Sequence, residues 1–184
     1  MLIQGCLLKK KLDHYLLKIK FSSLNRINIK FLNEEPQKDQ NFSLVYRSED
    51  YSFDVEPLDG TGDTSILIND LQLEIDHEGK IMYVWGLCPL IKYETTHEFP
   101  IKYKTGSLVA VLDKPPVLGV SYRLNEGRRW LIYINKEKGW ICLGNPAIKD
   151  KQLIEFAPNC VATMEGHELI AVWLHPKELP DLKS

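Results

Sequence analysis

LEIDHEGKIMYVWGLCP (Leu73–Pro89), WLIYINKEKGWICLGNP (Trp130–Pro146) and CVATMEGHELIAVWLHP (Cys160–Pro176) share one construction. Each is 17 residues long: an apolar run, a turn containing glycine, and a second apolar run closed by proline. Glycine supplies the positive φ that tight hairpin turns require. Proline has no N–H to give to a ladder and so ends the strand. The spacing predicts Leu73–Asp76 paired with Lys80–Trp85, Trp130–Asn135 with Trp140–Gly144, and Cys160–Met164 with Glu168–Leu174. The turns fall at different offsets and the side chains do not align, so these are similar building blocks rather than an internal repeat. Together they hold all four tryptophans.

The same reading extends outward. Leu17–Phe21 and Ile27–Phe31 alternate apolar with polar or charged residues, the period of two of a half-buried strand, and Ser22–Asn25 between them is turn-like. Met1–Lys10, Phe42–Arg47, Tyr51–Val55, Ile66–Asn69, Ser107–Leu112 and Gly119–Leu124 also read as strands. Asn33–Asn41 and Glu56–Ser65 carry the strongest loop composition, and Pro115-Pro116 makes a stiff connection. The best helix candidate is Lys149–Ala157, with Asp150 as N-cap and Pro158 as its stop. Gly86 behind Trp85 signals a bulge or a close backbone approach. The expectation is a mainly β protein: an antiparallel sandwich or barrel of about eleven strands with at most one or two short helices, formed by a single domain over residues 1–184.

Composition narrows the class. A hydrophobic fraction of 44% and a charged fraction of 26% are those of an ordinary globular chain, which excludes fibrous and globally disordered proteins. No apolar run approaches the length of a membrane-spanning helix. The N-terminus is apolar first and basic second (Lys9-Lys10-Lys11), the reverse of a secretory signal, so a cytoplasmic location is expected. Cys6, Cys88, Cys142 and Cys160 stand far apart among apolar neighbours and read as buried structural thiols. His14, His77, His97, His167 and His175 are scattered without metal-ligand spacing, and no nucleophile elbow is present. No catalytic residue, metal or cofactor is assigned.

Charge is distributed unevenly. Residues 1–32 carry seven Lys or Arg and one Asp, residues 33–80 carry three basic and thirteen acidic residues, and residues 81–184 carry thirteen basic and eleven acidic. The middle segment therefore holds a net −10 within a chain of net −2. Asp54, Glu56, Asp59 and Asp63, interleaved with Gly60 and Gly62, are the candidate acidic binding residues; their spacing does not match a calcium loop. Arg128-Arg129-Trp130 is the densest cation–aromatic cluster, a residue set favoured at protein interfaces. A pI near 6.2 and the lack of a broad basic stripe disfavour nucleic acid. The reading that follows is a non-enzymatic protein-interaction module, an inhibitor or immunity-type binder, presenting the acidic 33–80 surface to a basic protein partner. The alternatives are a small-ligand-binding β-barrel lined by some of Trp85, Trp130, Trp140 and Trp173, and an enzyme whose site is assembled from distant strands.

Overall fold

The computed structural model describes residues 28–32, 41–57, 64–112, 115–124, 128–179 and 182. The strands expected at Met1–Lys10 and Leu17–Phe21 lie outside them, as do most of the loops at 33–41 and 56–65. Fifteen strands are described in chain order: β1 (Asn28–Leu32), β2 (Ser43–Arg47), β3 (Ser52–Glu56), β4 (Thr64–Ile68), β5 (Leu71–Ile75), β6 (Ile81–Leu87), β7 (Glu94–Thr95), β8 (Lys104–Thr105), β9 (Ser107–Val111), β10 (Ser121–Arg123), β11 (Ile132–Asn135), β12 (Trp140–Gly144), β13 (Gln152–Ala157), β14 (Cys160–Glu165) and β15 (Glu168–Leu174).

All three 17-residue stretches form the expected hairpins: β5 pairs with β6, β11 with β12, and β14 with β15, each antiparallel. They are distributed between two sheets. A six-stranded sheet has the order β10-β4-β5-β6-β3-β2, and a seven-stranded sheet has the order β7-β11-β12-β15-β14-β13-β8. The sheets pack face to face over one apolar core and do not close on each other, so of the two architectures expected the sandwich forms and the barrel does not; its sheets are mixed rather than wholly antiparallel, because β10–β4, β11–β7 and β13–β8 pair in parallel at the edges. Leu44, Phe53, Leu73 and Val84 of the first sheet face that core, as do Ile134, Leu143, Ile154 and Val172 of the second. Each of these side chains is fully buried, contributing about 1.5–3 kcal/mol by leaving water. Strands β9 and β1 form a separate antiparallel pair, and Ala110 N–H donates to Gly79 O at 2.7 Å. Because β9 follows β8 after one residue, this contact ties an edge of the seven-stranded sheet to the β5–β6 turn of the other.

The expected helix at Lys149–Ala157 is a strand instead. Asp150 has φ +59° and sits in a turn, so it does not cap a helix. From Gln152 the period is two: Ile154 and Phe156 enter the main core, while Leu153 packs on the opposite face of the sheet. A run apolar on both sides satisfies a strand buried on both faces as well as a helix, and β14 supplies the ladder that decides it.

The seven-stranded sheet is covered on its outer face too. One cross-strand row, Tyr133–Cys142–Trp173–Val161, points away from the main core, with Trp140 and Ala171 beside it. Strands β7 and β8 sit at opposite edges of this sheet, so the chain between Thr95 and Lys104 must cross it. Six inter-strand spacings amount to about 29 Å, and nine residue steps reach about 30 Å when extended. The segment is thus a nearly taut strap. Phe99 packs onto the apolar row, and Asn135 Nδ2 donates to His97 O (3.1 Å) and Glu98 O (3.4 Å). Among the described residues, no helix is long and apolar enough to cross a membrane.

Candidate functional site

Asp54 and Glu56 alternate with Phe53 and Val55 along β3. Since Phe53 and Val55 are buried in the core, the two carboxylates project from the outer face of the six-stranded sheet. Arg47, on the edge strand β2, reaches both: its Nε donates to Asp54 Oδ2 at 2.7 Å and its terminal nitrogen donates to Glu56 Oε1. One guanidinium serves two carboxylates, and all three groups are solvent-exposed and screened by water, so the pairs add little to stability and leave a negative excess. Lys177 N–H donates to Leu44 O at 2.9 Å and covers part of the β2 edge. Asp59 and Asp63 lie outside the described residues.

The second sequence candidate divides. Trp130 is a core residue, whereas Arg128 and Arg129 before it are exposed. Asn69, at φ +58° in the two-residue turn between β4 and β5, holds Trp130 in place: its Nδ2 donates to Trp130 O (3.0 Å), and Trp130 N–H donates to its Oδ1 (2.8 Å). The indole lies over Gly144, where a Cβ would stand 2.6 Å from Trp130 Cε3 and 2.3 Å from Ile170 O. With φ +107° as well, only glycine fits there. Trp130 therefore offers no stacking platform to a ligand. Arg123 donates to Asn69 O at 3.1 Å; among the described residues Arg128 and Arg129 pair with no carboxylate and donate no hydrogen bond. The acidic and arginine sets are not brought together, because β3 runs away from the end at which Trp130 meets Asn69.

Gly86 makes the close approach its position suggested. It faces Leu71 on one side and Phe53 on the other, at φ +101°, and a Cβ would lie 3.1 Å from Asp70 O. No ligand-sized gap is needed to explain it. Polar residues on the outer face of the same sheet satisfy one another: Ser65 donates to Gln72 (2.8 Å) and meets Ser121 (2.9 Å), and Trp85 Nε1 donates to the buried Glu74 (2.7 Å). The first and last of these contacts lie within hairpins, 7 and 11 residues apart, whereas Ser65 and Ser121 are 56 residues apart and no local sequence signal announces their contact.

Several exposed apolar residues carry no sequence signal of their exposure, since Leu131 sits within the apolar run Trp130–Ile134 and Ile91 follows Leu90. Tyr51, Leu87, Ile91 and Leu131 are 50, 52, 77 and 56% exposed, and all lie at the end where β6 finishes. The four tryptophans do not converge on one interior. Trp130 is in the main core, Trp140 and Trp173 are under the strap, and Trp85 lies on the outer face of the other sheet. Trp140 stacks on His175 with ring centroids 4.7 Å apart.

Burial pushes the Cys88 thiol up to about 12, partly offset by Arg129, and pushes Cys142 and Cys160 up as well. A nucleophilic cysteine needs the opposite shift. Among the described residues, no three His, Cys, Asp or Glu side chains gather as a metal site would require. Comparison with protein families, with curated proteins and with solved structures finds no match for this chain.

Proposed function

We propose that this chain is a non-enzymatic protein-interaction module that presents the acidic face of its β2–β3 hairpin to a basic protein partner, as an inhibitor or immunity-type binder does. The observation that carries the reading is the pair Asp54 and Glu56, projecting side by side from an edge hairpin with only Arg47 between them. Fixed carboxylates in excess on one surface raise the association rate of a cationic partner and suppress wrong ones. The segment between β3 and β4 adds Asp59 and Asp63 to the same acidic stretch of sequence. The reading places the protein in the cytoplasm, where the free thiols of Cys88, Cys142 and Cys160 stay reduced.

The test is capture of the partner from the native cell with the wild-type chain and with an Asp54→Asn/Glu56→Gln/Asp59→Asn/Asp63→Asn variant, followed by native mass spectrometry. A stoichiometric basic protein held by the wild type, with an on-rate that falls steeply with salt, is expected to be lost or weakened about 10-fold or more in the variant. Equal retention by both forms, or a partner whose binding ignores salt, would defeat the reading.

A further inference from the structure

We propose that the end of the sandwich at which β6 finishes is a self-complementary surface, through which two copies of this chain associate about a two-fold axis. The surface excludes Asp54 and Glu56, so it stands or falls independently of the acidic face.

The sheet order lays this surface out as a line. The β2–β3 turn brings Glu49, Asp50 and Tyr51 to this end, all exposed. Next comes the end of β6, where Leu87 pairs with Ser52 and Cys88 N–H donates to Tyr51 O at 2.8 Å. Beyond it stands the Asn69-Asp70 turn, which pins Trp130 and receives Arg123. Two stretches lead here into the other sheet: the one from β6 to β7, carrying Ile91, and residues 128–131 before β11, carrying Arg128, Arg129 and Leu131. They run alongside each other, since β7 and β11 are paired neighbours and Arg129 is close enough to Cys88 to lower its thiol pKa.

The result is an apolar centre between flanks of opposite sign. Tyr51 and Leu87 occupy the centre, each about half exposed. One flank carries Glu49 and Asp50. The other carries Arg123, Arg128 and Arg129 against Asp70. Among the described residues, Glu49, Asp50, Arg128 and Arg129 have no hydrogen-bond or ion-pair partner. Arg47, which also lies near the acidic turn, is occupied by Asp54 and Glu56.

In an isologous dimer residue i of one copy meets residue j of the other, and j meets i. A two-fold axis near Leu87 lays each acidic flank over the partner's basic flank and buries Tyr51 and Leu87 between them. Tyrosine, arginine and large aliphatic residues at the centre of such a patch are what stable interfaces concentrate. A surface with one sign of charge would instead call for an unlike partner.

Sedimentation velocity distinguishes the outcomes. The wild-type chain is expected to show a concentration-dependent monomer–dimer equilibrium between about 1 µM and about 1 mM. Arg128→Glu/Arg129→Glu makes the charged flanks acidic on both sides, and Glu49→Arg/Asp50→Arg makes them basic on both sides. Each variant alone is expected to dimerise at least about 100-fold more weakly, since like charges meet twice per dimer. An equimolar mixture of the two is expected to restore a heterodimer. All four positions are exposed, so circular dichroism should show both variants folded. A wild type that stays monomeric throughout, a variant that dimerises alone as the wild type does, or a mixture that remains monomeric would each overturn the proposal.

Discussion

At the residue scale, Asn69 performs work that its sequence context does not advertise. Its backbone adopts φ +58°, a region few residues other than glycine and asparagine visit at low cost. Its side chain then imitates a strand by exchanging two hydrogen bonds with the backbone of Trp130, 61 residues away. Those two functions separate in substitution. Asn69→Gly keeps the backbone freedom and loses the hydrogen bonds, and should cost about 1–2 kcal/mol. Asn69→Ala loses both and should cost roughly 1 kcal/mol more than the glycine variant. Urea midpoints of the two variants check this; alanine equal to wild type would mean that the turn does not hold Trp130. The sequence presented Arg128-Arg129-Trp130 as one cation–aromatic cluster and did not separate the exposed arginines from the buried tryptophan. Nor did it reveal the tryptophan's partner, because an asparagine recognising a distant backbone leaves no periodic trace.

At the scale of elements, the strap from Thr95 to Lys104 is the feature least legible in sequence. ETTHEFPIKYKT (Glu94–Thr105) alternates apolar and polar residues only over Phe99–Lys104, where Ile101 and Tyr103 are nevertheless exposed, and its two-residue strands β7 and β8 form only because long strands elsewhere leave two sheet edges open. Once placed, it gives the seven-stranded sheet a second buried face, with Cys142 and Trp173 fully buried and Trp173 Nε1 bonded to Thr163 at 3.0 Å. That burial has a direct readout. Phe99→Ala removes the strap's apolar anchor while leaving the main core untouched, so Cys142 should react with a thiol reagent at least about 10-fold faster, its protection now set by local opening. Cys160, in the main core, should stay protected under the same conditions. If Cys142 and Cys160 were exposed together, the strap and the core would unfold as one and the strap would not be a separate layer.

At the scale of the whole molecule, the buried thiols lie in both layers, Cys88 and Cys160 between the sheets and Cys142 under the strap. Burial raises the folded pKa of each, with Cys88 at about 12, and raises Tyr46 to about 12 as well. An acid that holds its proton more tightly when folded contributes its full stability below its unfolded pKa, near 8.5 for a thiol, and loses it as pH rises through the folded value. The chain should therefore be alkali-sensitive from about pH 9 upward. Each thiol should contribute a slope of at most about 1.4 kcal/mol per pH unit. Urea titrations at pH 7.5 and 10.5 should show one cooperative transition with a lower midpoint at the higher pH. Tryptophan fluorescence and far-ultraviolet circular dichroism should coincide at each pH, since indoles sit in both layers and β9 ties the sheets together. A midpoint unchanged between the two pH values would show that the thiols are not buried as described.

The sequence alone determined the hairpins and the fold class. Their information is local: glycine sets the turn, proline ends the strand, and both partners of each ladder lie within 17 residues. Tertiary structure decided which hairpin joins which sheet, that the sheets stack rather than close, and that β13 is a strand. It also decided that Tyr51, Leu87 and Arg129 meet at one end of the molecule. These choices depend on pairings between residues far apart in the chain, and on which faces the whole assembly manages to bury. No short stretch of sequence carries that sum.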